Sequence, residues 1–176
     1  KTLEDYKALR VRPIGDLPSF MFQQLEAAPI NMSTSEVYTS LQYGNIDAVL
    51  TTATSYIQRK FYEVAKNLSL APNEYMYMAV GYFMINLDVW NKLSPDQQKI
   101  VQEAAEAAGK FVQEEARKDD NGTLDFLRQN ITVEEFPATE YEKMKDLTLE
   151  KMKERFATSV DKDIADKLYE AVERNR

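Results

Sequence analysis

The residue types in this chain of 176 residues restrict the chemistry that it can perform. It contains neither histidine nor cysteine, which removes the commonest general base, the commonest metal ligand and every thiol nucleophile. A catalytic site would have to be built from carboxylates, lysine, tyrosine or serine alone. We therefore expect a protein that is not an enzyme and that carries no metal and no cofactor.

Charged and apolar residues give further limits. The acidic pairs Glu114–Glu115 and Asp119–Asp120 have the residue types of a metal site, but such pairs are usually a solvated helix face. The net charge of −7 argues against a nucleic-acid partner, whose binding requires clustered Lys and Arg.

The longest apolar run, Tyr75 to Leu87, is about 13 residues, whereas a membrane span needs about 20. The first residues lack the apolar segment of a signal peptide, so the protein is either cytoplasmic or missing its true N-terminus.

Candidate ligand-binding residues lie at the ends of two predicted strands. Leu9 to Arg12 alternates apolar and basic residues, which predicts a strand that ends at Arg12. Ile46 to Leu50 predicts a buried strand that is followed by Thr51 and Thr52. Ligands of parallel sheets bind beyond the carboxyl ends of the strands, and a guanidinium suits a carboxylate because it offers paired planar donors. From spacing alone, Arg12 also fits a solvated strand end, and the threonines also fit ordinary strand residues.

The elements that position these residues are predicted from capping and periodicity. Ser33 and Glu36 have the spacing of a capping box at a helix start, and Gly44 supplies the helix end. The aromatic and methionine-rich run Tyr75 to Asn86 predicts a long buried strand. Alternation of helices and strands predicts an α/β fold with an at least partly parallel sheet.

The second half of the chain is predicted to be mainly helical. Ser94 and Gln97 have the spacing of another capping box, with proline at the first helical position. A long amphipathic helix begins there and is predicted to continue, with or without a kink, past Asp119–Gly122. Thr139 and Glu142 predict the cap of a further helix.

Six segments that occur in a fixed order carry a resemblance to a known family. They are Tyr-Lys-Ala-Leu-Arg-Val-Arg (6–12), Ala-Ala-Pro-Ile-Asn-Met (27–32), Ser-Glu-Val-Tyr-Thr-Ser-Leu-Gln (35–42), Gly-Asn-Ile-Asp-Ala (44–48), Lys-Phe-Tyr-Glu-Val-Ala-Lys (60–66) and Trp-Asn-Lys-Leu-Ser-Pro-Asp-Gln-Gln-Lys (90–99). In this order they resemble the substrate-binding proteins of tripartite ATP-independent periplasmic (TRAP) transporters, over almost the whole chain.

The resemblance implies an architecture and a location. It implies half of a periplasmic-binding-protein-like clamshell, with a mixed sheet, flanking helices and a long C-terminal helix. Residues 1–86 would form the family's second, ligand-binding domain, and residues 87–176 would bridge to an N-terminal domain. Because the family has that whole domain before the first strand seen here, we expect an N-terminally truncated periplasmic protein that is prone to self-association.

The resemblance also implies a ligand site and partners. Arg12 would pair with the carboxylate of a small organic acid that is then delivered to a membrane permease, and Thr34 would line the pocket. Thr51, with Thr52 beside it, takes the place of a ligand-contacting asparagine but offers only one hydroxyl. We therefore expect a monocarboxylate with an apolar or aromatic body over a C4-dicarboxylate or a sialic acid. The alternative is a helical protein-interaction module without a small-molecule ligand, which the long amphipathic helix would suit.

Overall fold

Short strands and helices alternate in the first part of the chain, as its sequence predicts. The computed structural model describes residues 2–72 and 81–174, with the backbone alone for residues 117–121, 172 and 173. The elements of the first part are β1 (Arg10–Arg12), α1 (Asp16–Gln24), β2 (Ala28–Pro29), α2 (Val37–Gln42), β3 (Ala48–Val49), α3 (Ala53–Gln58) and β4 (Asn67–Leu70). Single 3₁₀ turns at Leu3–Tyr6, Thr34–Glu36 and Phe61–Glu63 complete it.

The second part is mainly helical, which was also predicted. Its elements are α4 (Leu87–Trp90), α5 (Pro95–Asn130), β5 (Thr132–Glu135), α6 (Ala138–Ala157) and α7 (Lys162–Arg174). Within the described ranges, none of these helices combines the length and the apolar character that crossing a membrane would require.

The strands form two small parallel sheets. The first has the order β2-β1-β3, in which Val11 is in register with Pro29 on one side and with Ala48 on the other. The second pairs β4 with β5, also in parallel. The chain passes from β1 to β2 on one side and then crosses to β3 on the other. Ligand crevices of such sheets lie where the strand order reverses, which here is the carboxyl end of β1 and β3.

Helices cover both faces of the first sheet and create two cores. On one face α1 and α6 pack over β1, with Val11, Phe22, Leu25 and Met144 buried together. On the other face α2, α3 and the end of α5 enclose a second set of buried residues, which are Val37, Ile46, Tyr56, Phe61 and Leu127. Burial of these side chains from elements distant in sequence fixes the sheet between its two helical layers.

The predicted helix signals at Ser33 and Ser94 are confirmed. The Ser33 amide donates to Glu36 Oε2 at 2.9 Å, and the capped segment begins as a 3₁₀ turn before α2. Gly44 ends this helix with φ at +68°, a conformation that glycine adopts without strain. The capping box at Ser94 opens α5, which continues without a break through residues 119–122.

Two local predictions are wrong. Residues 81–86 are not a buried strand: they lie outside both sheets, and Tyr82 and Phe83 are 72% and 69% exposed. A strand needs a neighbour to pair its backbone groups, and the described strands pair with one another instead. The first part of that run, residues 75–80, lies outside the described residues. Thr139 does not cap α6, because Pro137, with its fixed φ, is already the residue at the helix boundary.

The predicted division at residues 86 and 87 crosses several packed pairs of elements. β4 pairs with β5, α1 packs against α6, and α3 packs against α5. The division into 1–86 and 87–176 stays a prediction.

The strand pairs of the described residues are all parallel, whereas a mixed sheet was expected.

Candidate functional site

The predicted site residue Arg12 lies at the carboxyl end of the central strand. Its carbonyl accepts a hydrogen bond from the amide of Leu50 at 2.9 Å, and its Cα is in register with Val49. Side chains alternate along a strand, and Val11 belongs to the core under α1 and α6. The Arg12 side chain therefore points to the opposite face, toward α2 and α3, where the residue is only 8% exposed.

The Arg12 guanidinium is held by two neutral acceptors. Nη2 donates to Thr34 Oγ1 at 2.9 Å and to the Met32 carbonyl at 3.3 Å, and Nε donates to the same carbonyl at 3.4 Å. No described carboxylate oxygen lies within 4.0 Å of its nitrogens. A buried charge is stabilised when an opposite charge pairs with it, so this position favours an anion.

Electrostatics at the site point in the same direction. Burial lowers the pKa of Arg12 from its ordinary value, and the positive charge of Arg59 lowers it further. Both effects disfavour the cation, although a guanidinium remains charged at any physiological pH. A bound carboxylate would relieve both, because its negative charge opposes the desolvation cost and the repulsion between the two arginines.

Thr34 reaches Arg12 from a turn whose backbone is locally fixed. The capping box of Ser33 and Glu36 closes the 3₁₀ turn that contains Thr34. Val37, which follows directly, is fully buried in the core between α2 and α3. The half-buried Thr34 is thus anchored on both sides of its own position.

The two threonines after β3 differ in what their hydroxyls do. Thr52 is the N-cap of α3, and its Oγ1 accepts from the Ser55 amide at 3.2 Å. Thr51 is half-buried and lies one residue beyond Leu50, at the same edge of the sheet as Arg12. Of the four predicted site residues, the structure joins Arg12 and Thr34 by a hydrogen bond, and among the described contacts none joins either Thr51 or Thr52 to Arg12.

Sequence reasoning missed two contributors to the site. The Met32 carbonyl holds one edge of the guanidinium, and a backbone acceptor of this kind leaves no signal in residue types. Arg59 is exposed and follows α3, whose first turn starts at Thr52 beside the site. The sequence signal for Arg59 was a basic residue directly after the short helix that Thr52 caps.

Comparison with known proteins identifies the family of this chain. Residues 1–159 match the family described as bacterial extracellular solute-binding protein, family 7 (DctP). The chain belongs to this family, whose members are solute-binding proteins of TRAP transport and not enzymes. The predicted family and the expectation of a non-enzyme are confirmed.

Individual relatives support the assignment. A solute-binding protein of Sulfitobacter sp. (strain NAS-14.1) is 33% identical over 138 residues, which cover 77% of this chain and 41% of that protein. The sialic acid-binding periplasmic protein SiaP of Vibrio cholerae is 32% identical over 109 residues, which cover 61% and 33%. The chain thus spans less than half the length of the curated relatives that it matches.

A solved structure shows the fold. The sugar acid binding protein DctPAm from Advenella mimigardefordensis, in complex with galactonate, superposes with a TM-score of 0.84 at 23% identity. The match covers 99% of this chain and 56% of that one. This similarity confirms the predicted α/β fold class.

Proposed function

We propose that the chain forms the ligand-binding part of a periplasmic TRAP solute-binding protein, which captures a small organic carboxylate through Arg12 and delivers it to a membrane permease. The observation that carries this proposal is the buried Arg12 guanidinium, which is hydrogen-bonded to neutral groups alone among the described residues. Two relatives support it by their names, since sialic acid and galactonate both contain a carboxylate.

Substitution of Arg12 tests the proposal. We expect Arg12→Ala, in an intact-length version of the protein, to abolish carboxylate binding in a calorimetric titration. Arg12→Lys should lose most of it, because lysine keeps the charge but not the planar donors that reach the Met32 carbonyl and Thr34 together. Arg10→Ala is the matched control: Arg10 is on the same strand but is half-exposed and paired with Asp47. Wild-type affinity in Arg12→Lys, or equal losses for Arg10 and Arg12, would contradict the proposal.

The site favours a monocarboxylate with an apolar or aromatic body over a C4-dicarboxylate or a sialic acid. Arg12 is buried, but the second cation, Arg59, is exposed, so it can pair a second carboxylate only where water still reaches it. Thr51 offers one hydroxyl, and the oxygen of Thr52 already caps α3. A second carboxylate, or the several hydroxyls of a sialic acid, would lose hydration in the pocket without enough buried partners.

A thermal-shift panel on an intact-length version of the protein separates these ligand classes. Ligand that binds only the native state raises the melting temperature, and we expect phenylpyruvate and 2-oxoisovalerate to raise it more than succinate, malate or N-acetylneuraminate. Strong stabilisation by succinate or malate alone would contradict the preference. The variant Arg59→Gln then identifies whether Arg59 pairs a second carboxylate, since dicarboxylate binding should weaken clearly more than monocarboxylate binding.

A second candidate function rests on a different surface. Residues 81–116, which we call the exposed arm, carry large apolar side chains in solvent, including Phe83, Ile100 and Phe111. Surfaces of this kind are typical of protein contacts, as in a helical interaction module without a small-molecule ligand. Under that function no carboxylate in the panel would raise the melting temperature, whereas solute binding requires that at least one does so.

The division of the chain belongs to the same proposal. We infer that residues 1–86 carry the ligand site and that residues 87–176 connect it to a further domain. The site residues all precede residue 60, and the exposed arm begins directly before the proposed boundary. Deletion of residues 87–176 removes none of the proposed ligand contacts. It should nevertheless destabilise the first part, because β5 and α6 pack on it.

A further inference from the structure

We propose that Thr34 is a positioning residue that also completes the carboxylate site: it fixes the Arg12 guanidinium and donates its own hydroxyl proton to the ligand. The ligand carboxylate would then be recognised by a mixed pair of donors, Arg12 Nη1 and Thr34 Oγ1. This inference rests on the proposed function and specifies how its site reads a carboxylate.

The donors of Arg12 lead to this arrangement. A guanidinium has five N–H donors in a fixed plane, one on Nε and two on each terminal nitrogen. The Met32 carbonyl lies in the fork of Nε and Nη2, and Thr34 accepts from Nη2. Among the described residues, no acceptor lies on Nη1. The guanidinium therefore presents Nη1, and not a complete two-nitrogen fork, to an anion.

The hydroxyl of Thr34 supplies the second donor. A threonine hydroxyl can donate one hydrogen bond while it accepts others. Thr34 Oγ1 already accepts from Arg12 Nη2 at 2.9 Å, and within the described chain its proton has no acceptor. Acceptance from a cation polarises the hydroxyl and strengthens its own donation. An acceptor beside Nη1 on the Thr34 side of the guanidinium can use this proton.

A carboxylate matches this pair because it has two oxygens in one plane. One oxygen would accept from Arg12 Nη1 and the other from Thr34 Oγ1, while Met32 keeps the opposite edge of the guanidinium occupied. The capped turn at Ser33 and the buried Val37 hold Thr34 in place. Removal of the hydroxyl should therefore both release the guanidinium and delete one ligand donor.

Three variants isolate the hydroxyl. Thr34→Val keeps the shape and removes the hydroxyl, Thr34→Ser restores a hydroxyl, and Thr39→Val is a control at an exposed threonine on α2. In ¹⁵N spectra of arginine side chains, with Arg12 assigned from Arg12→Lys, we expect Thr34→Val to shift the Nη2 signal and to speed rotation about its bond. Thr34→Ser should restore both, and Thr39→Val should change neither.

Acetate is the probe for ligand donation. Titration of acetate should move the Arg12 Nη1 signal in wild type, and Thr34→Val should weaken acetate binding about 10-fold or more, as expected for a hydrogen bond to a charged group. Wild-type spectra and affinity in Thr34→Val would overturn the inference, as would a loss that Thr34→Ser does not restore. Acetate binding that persists in Arg12→Ala, or that leaves Arg12 unperturbed in wild type, would instead overturn the proposed function. In that case the unliganded spectra of the Thr34 variants still decide the positioning role.

Discussion

Two regions of this molecule have similar apolar content but opposite surroundings. In the sheet region, which comprises residues 2–72 and the helices packed on them, Phe61 is 1% exposed. In the exposed arm, residues 81–116, Phe111 is 64% exposed on a regular helix. Phe61 begins a single 3₁₀ turn, and Phe111 lies within the amphipathic helix α5. Apolar residues thus predict which face of an element can be buried. They do not predict which other element, if any, covers that face.

The largest expected effect tests this contrast with one substitution at two places. Phe61→Ala should lower the free energy of unfolding by about 3–5 kcal/mol, because it leaves a cavity in a closed core. Phe111→Ala should change it by less than about 0.5 kcal/mol, since the ring is already in water. Urea denaturation of the two variants, at a protein concentration too low for self-association, measures both. Equal costs under those conditions would show that the exposed arm is covered by other parts of the same chain.

A smaller effect concerns association of the chain with itself. Exposed apolar patches favour self-association, and we expect the chain to form dimers or larger species at micromolar concentration. The double variant Ile100→Lys with Phe111→Lys should weaken association about 10-fold or more, whereas Gln113→Lys, which adds charge at a neighbouring exposed residue, should not. Sedimentation velocity at several concentrations decides this. A wild-type chain that stays monomeric throughout would contradict the prediction.

The smallest expected effect concerns the ion pair between Arg10 and Asp47 in the sheet region. Asp47 accepts from Arg10 Nε and from the Arg10 amide, each at 2.9 Å, and these contacts lower the pKa of Asp47 below its ordinary 3.8. A lowered pKa adds stability that is complete above the ordinary value and is lost as pH falls through the folded value. The pair is partly exposed, so the contribution should be less than about 1 kcal/mol.

Comparison of Asp47→Asn with wild type measures this contribution. The free energy of unfolding should differ at pH 7, and the difference should shrink as the pH falls below about 4. Asp146→Asn, at an exposed residue on α6 without a described ion pair, is the control and should show no such trend. A difference that grows toward low pH would have the wrong sign for an aspartate stabilised by Arg10.

Local chemistry explains which parts of the fold were predictable. The capping boxes at Ser33 and Ser94 and the left-handed Gly44 satisfy backbone groups within a few residues, so their signals survive in any fold. The strands that contain Arg12 and Val49 were placed correctly from their apolar pattern but were predicted too long. Residues 81–86 failed because an apolar, β-preferring segment becomes a strand only beside a partner, and partners are set by tertiary structure.

The site was predictable only in part. Arg12 was predicted from its position at the end of a strand together with the family resemblance. The structure adds that this strand is the central one of its sheet. Thr34 comes from the resemblance, but its bond to Arg12 joins residues 22 positions apart, which no local pattern encodes. Thr52 was predicted as a ligand contact, whereas its oxygen caps α3. The roles of the four residues in binding stay predictions.

The length of α5 has a mechanical consequence. Near its carboxyl end Leu127 is fully buried against the sheet region, while Ile100 lies 27 residues earlier in solvent. At 1.5 Å per residue the helix between them is a rod of about 40 Å. A tilt of about 5° at the buried end would carry the far end about 3.5 Å sideways, close to the diameter of a methyl group. A small change in packing around Leu127 would therefore produce a larger displacement at the Ile100 end of the helix.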